Sequence, residues 1–169
     1  MSNYRSEKSL VDTFVRHLRS RNSLWGEVHI RREFDYQRGR TDILAVNGTG
    51  QVFAFEAKLQ RWRDALDQAY RNTCFAHESY VLLPAAAASV AESFPDEFER
   101  RNVGLCYLDR GRAVVIRKAA RQQPLQPWLR ELAVQCSREG YERKSSQNSR
   151  RTVRRTKDAV RREGRRGDI

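Results

Sequence analysis

Two short apolar runs joined by an Asn/Gly-rich turn place the strongest constraint on how this chain can fold. Residues 41–46 read Thr-Asp-Ile-Leu-Ala-Val, residues 47–50 read Asn-Gly-Thr-Gly, and residues 51–58 read Gln-Val-Phe-Ala-Phe-Glu-Ala-Lys. Such runs on either side of such a turn are typical of a β-hairpin, here with strands over 41–47 and 51–58. Because side chains alternate along a strand, Glu56 and Lys58 are expected on the same side of it, within reach of Asp42.

Two carboxylates and a lysine brought together in this way can hold a divalent metal and activate a water molecule. That arrangement suits the hydrolysis of a phosphodiester. Glu56 stands in the apolar run 53–57, where a charge is costly unless a cation or another partner compensates it. The alternative interpretation is a solvated strand end, at which Glu56 and Lys58 simply pair with each other.

Apolar periodicity predicts the remaining elements. The expected order is a helix over 6–19 capped by Ser6, strands over 27–34, 41–47 and 51–58, a helix over 61–73, a buried strand over 78–84, an alanine-rich helix over 85–93, a short turn over 95–101, strands over 103–108 and 112–116, and a helix over 127–137. The charged first strand is expected at an edge or facing a ligand, and 35–40 reads as a polar loop. This order predicts an α/β sandwich around a mixed sheet.

Charge narrows the class of partner. The chain has 169 residues, enough for one ordinary domain, and carries a formal net charge of +12 at pH 7. Such an excess points to a polyanion, with nucleic acid as the leading candidate. An acidic membrane surface is the second candidate, but the sequence contains no amphipathic anchor with a strong apolar face. It also lacks a run of about 18 apolar residues, so no transmembrane helix is predicted.

The sequence also indicates the compartment. Its first residues lack the apolar core of a signal peptide. The three cysteines, Cys74, Cys106 and Cys136, are widely spaced and odd in number, so neither a disulfide framework nor zinc-finger spacing is available. Small buried thiols in a reducing environment are the simplest interpretation, and we expect a cytoplasmic protein.

A change in composition predicts two parts, a domain over 1–138 and a basic tail over 139–169. Residues 138–169 carry 12 Arg and Lys against 5 Asp and Glu, and too few large aliphatic residues for a core of their own. A disordered or partly helical extension is expected, with arginines available to phosphates. These candidate nucleic-acid contacts include Arg150, Arg151, Arg154 and Arg155. The alternative is a tail that only adds solubility.

The spacing of the acidic residues and lysine resembles the PD-(D/E)XK nuclease superfamily. The matching residues are Glu7 on the leading helix, Asp42 at the start of one strand, and Glu56 and Lys58 on the next. The layout is similar to restriction endonucleases and archaeal-type Holliday-junction resolvases, and it covers roughly residues 5–85. The family pattern has Pro before its Asp, whereas this chain has Thr41. The resemblance implies a restriction-endonuclease-like α/β/α sandwich around a mixed central sheet.

The resemblance also implies a metal-dependent endonuclease that cuts DNA with Mg²⁺, or with Mn²⁺ in its place. Asp42, Glu56 and the carbonyl of Ala57 would then be metal ligands, and hard oxygen ligands of this kind suit Mg²⁺. The nuclease would be a homodimer or part of a nucleoprotein complex, because one small domain holds one site and cutting a duplex requires two.

Further site residues follow from the same resemblance. Lys58 would orient or deprotonate the attacking water, or stabilise charge on the phosphate. Glu7 would be an outer ligand or a ligand of a second metal. Gln68 lies on the following helix where several family members place a polar residue, and Tyr70 could take that place if the helix were rotated.

Two further sets of residues carry weaker signals. Arg38 and Arg40 could contact phosphates next to the cut, since the arginine fork suits that role, although a solvated basic loop is the alternative. Trp62 and Trp128 fall on apolar helix faces and are expected in the core, not as platforms for base stacking.

A different class of function also fits the sequence. A noncatalytic nucleic-acid-binding protein could retain the same fold and use its basic tail for binding or assembly. A third possibility is that the tail docks an RNA or an acidic protein, and that the nuclease acts within a larger complex. Response to a chelator separates an enzyme from a binder, because only the enzyme needs the metal.

Overall fold

A six-stranded mixed sheet forms the centre of the molecule, as seen in a computed structural model that describes residues 4–37 and 39–139. The strands are β1 (Val28–Asp35), β2 (Arg40–Asn47), β3 (Val52–Ala57), β4 (Glu78–Leu83), β5 (Gly104–Asp109) and β6 (Arg112–Arg117). They lie in chain order, with β3, β4 and β5 parallel and the other neighbours antiparallel. The predicted position of the first strand at an edge is confirmed.

Helices cover both faces of this sheet. They are α1 (Glu7–Leu18), α2 (Trp62–Asn72), α3 (Ala85–Glu92), α4 (Pro95–Glu99) and α5, which spans residues 127–139. Helix α1 packs in one core cluster with Phe53 and Phe55, whereas α2, α3 and α4 share a second cluster and α5 a third. Val52 and Ala54 belong to the third cluster, so alternate residues of β3 face opposite layers. The predicted α/β sandwich around a mixed sheet is confirmed.

The parallel strands explain why α2, α3 and α4 lie on one face. A crossover between adjacent parallel strands is right-handed in nearly all proteins. Because β3, β4 and β5 are added in the same direction across the sheet, two right-handed crossovers place their helices on the same side. The opposite face is left to α1, whose Phe14 packs edge-on against Phe55 with ring centroids 4.8 Å apart.

Helix α1 begins where the sequence predicts. The Ser6 hydroxyl accepts a hydrogen bond from the Ser9 backbone N–H, and the Ser9 hydroxyl accepts one from the Ser6 N–H. This reciprocal cap satisfies two donors that a helix start leaves without partners. It places Glu7 in the first turn, at the end of the helix that lies beside the end of β3.

The predicted polar loop over 35–40 is confirmed, but each end lies one residue further in. Strand β1 continues through Asp35 and β2 begins at Arg40, and the Tyr36 N–H donates to the Gly39 carbonyl at 3.1 Å. The connection between β1 and β2 is therefore short, and Gln37 within it has a φ of 70°. Polar residues do not prevent pairing here, because β1 is an edge strand with most of its side chains in solvent.

The β2–β3 hairpin is present as predicted, but its two strands separate before the end of β3. Pairing runs from Val46 opposite Val52 to Ile43 opposite Phe55 and goes no further. At the turn, the Asn47 side-chain oxygen accepts from the backbone N–H groups of Thr49 and Gln51. The separation leaves room between the strands at the end occupied by the predicted acidic residues.

Of the two tryptophans expected in the core, one is found there. Trp62 is buried, whereas Trp128 is 58% exposed, so the prediction for Trp128 is wrong. Helix α5 turns Leu129 and Ala133 inward, and a residue one position before Leu129 points about 100° away from them. Among residues 4–37 and 39–139, no helix has the length and apolar character needed to cross a membrane. Residues 140–169 lie outside the described part of the chain, so the predicted boundary and tail stay a prediction.

Candidate active site

The carboxyl groups of Asp42 and Glu56 meet where β2 and β3 separate. The Ala57 N–H, which no longer pairs with the β2 backbone, donates to Oδ2 of Asp42 at 2.9 Å. The Glu56 side chain is only 1% exposed, and it lies close enough to Asp42 for the negative charge of Asp42 to raise its pKa. The alternative of a solvated strand end with a Glu56–Lys58 pair is therefore wrong for Glu56.

Burial controls the protonation of Glu56. Loss of hydration and the nearby negative charge of Asp42 together raise the pKa of Glu56 to about 8, against the opposing effects of Asn72 and Lys58. At neutral pH the carboxyl group of Glu56 is thus held largely in its protonated form. A proton or a cation is needed to relieve the repulsion between the carboxylates of Glu56 and Asp42.

Asn72, which the sequence analysis did not identify, holds Glu56 in place. Its Nδ2 donates to Oε1 of Glu56 at 2.6 Å, and its Oδ1 accepts from the hydroxyls of Thr41 and Tyr36, each at 2.9 Å. Asn72 is fully buried. One signal could have revealed it: Asn72 follows Ala65 and Ala69 at helical spacing, so it is a polar residue on a face that the periodicity assigns to the core.

A distortion in β1 allows Thr41 to reach that asparagine. Glu33 has a φ of 52°, in the left-handed region that bulky residues rarely adopt. Before it, Arg32 forms an ion pair with Asp12 of α1; after it, Phe34 packs in the cluster on the opposite face. Thr41 pairs with Phe34 and turns toward α2 with it. Thr41, which stands where the PD-(D/E)XK pattern has Pro, thus donates a hydrogen bond to Asn72 in this chain.

Lys58 lies one residue beyond β3, at the edge of the site. Its backbone N–H donates to the Leu82 carbonyl, and its Nζ forms an ion pair with Glu7 at 3.2 Å. The positive charge of Lys58 also reaches Glu56, where it lowers the pKa. Glu7, Lys58, Glu56 and Asp42 therefore form one continuous group, although the lysine bonds to the helix and not to the neighbouring glutamate.

Gln68, and not Tyr70, is the residue of α2 that points inward. The Oε1 atom of Gln68 is buried and, in the part of the chain that the structure describes, has no hydrogen-bond partner. Tyr70 is 52% exposed. Gln68 lies four residues before Asn72, on the same side of the helix. A buried acceptor without a donor is rare in native proteins and is available to a water molecule or ligand.

The predicted arginine contacts are placed only in part. Arg40 is exposed at the start of β2, two residues from Asp42. Arg38, Arg150, Arg151, Arg154 and Arg155 lie outside the described residues.

The donor set suits a hard divalent cation. Within residues 4–37 and 39–139, no three His, Cys, Asp or Glu side chains converge on one point, so a metal would rely on fewer protein ligands. The candidate ligands are all oxygen atoms, from the side chains of Asp42 and Glu56 and the carbonyl of Ala57. Ala57 lies beyond the last β2–β3 pair. Mg²⁺ is commonly held by one or two carboxylates and keeps several of its own waters.

Comparison with known proteins adds support for the fold. No family model matches the chain, and no curated protein is similar to it in sequence. A protein of unknown function from Silicibacter pomeroyi has a similar structure, with a TM-score of 0.59 and 20% identity, over 82% of this chain and 88% of that one. A crystal structure of a repair endonuclease from Pyrococcus abyssi aligns with a TM-score of 0.34 and 15% identity, over 72% of this chain and 50% of that one.

Proposed function

We propose that this protein is a Mg²⁺-dependent endonuclease that hydrolyses phosphodiester bonds of DNA, with Mn²⁺ as an alternative metal and RNA as a further possible substrate. The observation that carries this proposal is the burial of Glu56 beside the negative charge of Asp42. Two adjacent buried carboxylates destabilise a fold unless a proton or a cation compensates their charge. A divalent cation is the counter-charge that suits oxygen donors. The residues match the PD-(D/E)XK pattern, which supports nuclease chemistry.

Each residue of the group has a task in this proposal. Asp42 and Glu56 would hold the metal with the Ala57 carbonyl, and Asn72 would keep Glu56 oriented. A bound metal would polarise the scissile phosphate and lower the pKa of a bound water. Lys58 would donate to a phosphate oxygen or orient the attacking water, and Glu7 would fix the ammonium group. Gln68 would accept a hydrogen bond from water or substrate through its unpartnered oxygen.

Charge and size support nucleic acid as the partner. The formal net charge of +12 favours a polyanion, and the arginines after residue 149 would add contacts to phosphates that do not depend on base sequence. Because one chain offers one such site, the nuclease would cut duplex DNA as a homodimer or within a nucleoprotein complex.

A cleavage assay tests the proposal. We expect the protein to cut at least one of four DNA substrates (supercoiled, linear, single-stranded or four-way junction) in Mg²⁺ or Mn²⁺ and to stop in EDTA. Asp42→Asn and Glu56→Gln should each lower the rate by at least about 100-fold, by analogy with the loss of other transition-state contacts. Glu92→Gln, at an exposed position on α3, is the matched control and should cut like the wild type.

Two results would contradict the proposal. One is cleavage by Asp42→Asn and Glu56→Gln at the wild-type rate. The other is binding that weakens steeply with salt but is indifferent to chelator and never leads to cleavage, which would indicate a noncatalytic nucleic-acid-binding protein.

A further inference from the structure

A cavity of about 360 Å³ lies at the C-terminal end of α2, and the proposed chemistry makes no use of it. Its walls include Tyr36, Gln37, Arg71, Gln126 and Trp128. This volume lies within the range of roughly 300–1,000 Å³ that is usual for sites of small organic groups. The walls combine two aromatic rings, two side-chain amides and a guanidinium group.

The cavity is connected to the candidate active site through a shared side chain. Tyr36 lines the cavity, and its hydroxyl donates to Asn72, which in turn donates to Glu56. The Arg71 guanidinium also lies near the Tyr36 hydroxyl, and its positive charge opposes the rise in the pKa of that hydroxyl. An occupant in contact with Tyr36 would therefore be linked to the Glu56 carboxyl group through two hydrogen bonds.

Among the residues of the cavity wall, Trp128 says most about what the cavity can bind. It is 58% exposed, although the same helix buries Leu129 and Ala133. The N–H of Gln126 donates to the Cys74 carbonyl, which ties the start of this helix to the end of α2 and so keeps Trp128 beside the cavity. An exposed indole held in this way at a cavity wall offers a flat surface on which another ring can stack.

Gln37 is another residue of the cavity wall, and its backbone conformation costs energy. It occupies the hairpin loop with a φ of 70°, where glycine or asparagine would be favoured. Strained residues of this kind persist more often at ligand sites than elsewhere. The amide of Gln37, together with that of Gln126, can donate to and accept from the edge of a heterocyclic base.

We propose that this cavity receives one unpaired nucleobase of the strand being cut, stacked on Trp128, with Arg71 facing the adjoining phosphate. This inference rests on the proposed function and deepens it: the nuclease would prefer single-stranded regions, flaps or frayed ends over continuous duplex. Base–aromatic stacking tolerates any sequence, because every base has a flat face, and the arginine provides the complementary charge.

Fluorescence provides a binding test that does not depend on cleavage. Of the three tryptophans, Trp25 and Trp62 are buried, so Trp128 is the one that a bound oligonucleotide can contact. In EDTA, a 12-residue oligothymidylate should quench the emission of wild-type protein, and a blunt hairpin duplex should quench it less. Trp128→Phe should lose the quenching yet keep most of the affinity, because phenylalanine still stacks.

Affinity provides the second measurement, by anisotropy of labelled DNA in EDTA. Trp128→Ala should bind the single strand about tenfold more weakly, with less than a twofold change for the duplex. Phe94→Ala removes an aromatic ring that is also exposed but lies beside Trp62 and Arg63, so it should bind both DNAs like the wild type.

Several outcomes would overturn this inference. Equal binding of both DNAs by Trp128→Ala and wild type would do so, as would loss of self-association in Trp128→Ala with unchanged DNA affinity, which would assign the ring to a protein interface. Failure of the proposed function is distinguishable: Glu56→Gln would then cut at the wild-type rate, whatever Trp128→Ala does to binding. If Glu56→Gln is inactive and Trp128→Ala binds single-stranded DNA like the wild type, the proposed nuclease activity is supported and the proposed base pocket is contradicted.

Discussion

Asn72 donates a hydrogen bond of 2.6 Å to Glu56 and accepts bonds from Thr41 and Tyr36. The orientation of the buried carboxyl group is thus set from α2, a helix that carries none of the proposed metal ligands. Partners of this kind, one shell behind the ligands, commonly change metal affinity or activity by about 10- to 100-fold.

We therefore expect Asn72→Ala to lower metal-dependent cleavage by about 10- to 100-fold. The variant should also lose about 1–3 kcal/mol of unfolding free energy, because it leaves buried hydroxyl and carboxyl groups without a partner. Metal titration followed by activity, together with urea denaturation, measures both effects. Wild-type metal affinity in a variant with clearly reduced stability would restrict Asn72 to a structural role.

The stability of the metal-free protein should depend on Glu56 over a defined pH window. The pKa of Glu56 is about 8 in the folded state against 4.5 ordinarily, so the folded state holds this proton more tightly. Its contribution is complete below pH 4.5 and is lost as pH rises through 8. In EDTA we expect the free energy of unfolding of the wild type to fall by roughly 2–4 kcal/mol relative to Glu56→Gln between pH 5 and pH 9.

Urea titrations of both proteins across that range provide the measurement. Parallel stability curves for wild type and Glu56→Gln would show that Glu56 ionises normally, and the argument for a buried carboxyl pair would fail.

Metal binding should release a proton from the site. At pH 7 the Glu56 carboxyl group is mostly protonated, and a metal ligand must be ionised. Calorimetric titration with Mn²⁺ in two buffers of different ionisation enthalpy should report close to one proton released at pH 7 and almost none at pH 9.5. Glu56→Gln should bind Mn²⁺ more weakly and release no proton. An equal heat in both buffers at pH 7 would argue against Glu56 as a ligand.

Lys58 and Glu7 should contribute unequally to cleavage. Lys58→Met removes the only ammonium group that the structure places beside Glu56 and Glu7, and we expect a loss of about 100- to 1,000-fold in the cleavage rate. Glu7→Gln keeps a hydrogen-bond acceptor for that ammonium group, so its loss should be about tenfold or less. Single-turnover cleavage with saturating enzyme separates these rates from DNA binding, which should change little in either variant. A larger loss in Glu7→Gln than in Lys58→Met would reverse the assigned roles.

A substitution in the loop between β1 and β2 should change stability and single-strand binding in opposite directions. Gln37 has a φ of 70°, so Gln37→Gly should raise the free energy of unfolding by about 0.5–1 kcal/mol. The same change removes an amide from the cavity wall and should weaken single-strand binding. Gln37→Val is the opposite control, since a β-branched residue at this φ should be destabilised. Urea denaturation and anisotropy test both effects, and a destabilised Gln37→Gly would contradict the strain argument.

Periodicity was sufficient to predict most of the fold. The stripe of α1, the Asn-Gly turn after β2 and the continuous apolar run of β4 are local signals, and the structure places each element within a few residues of its predicted range. The loop over 35–40 was predicted one residue too long at each end, because pairing at an edge strand does not require apolar residues. Trp128 was mispredicted because its helix buries a narrow stripe, and a tryptophan just outside it looks the same in sequence.

The site was predictable only for residues that lie close in sequence or match a known pattern. The convergence of Asp42 and Glu56 follows from the hairpin, since strand pairing fixes which residues lie opposite each other. Asn72 and Tyr36 come from other elements, and their hydrogen bonds depend on how α2 packs on the sheet. The separation of β2 from β3 likewise has no sequence signal, although it creates the space between the acids.

The strands lie side by side in the order in which they occur in the chain. During synthesis each new strand can therefore add to the one before it, without waiting for a distant partner. All of the proposed catalytic residues precede Thr73, so a ribosome still translating the second half of the domain would already have released them. Assembly of the acidic pair before β5 and β6 exist would expose it to cellular cations early, and metal capture could then accompany folding of the nascent chain.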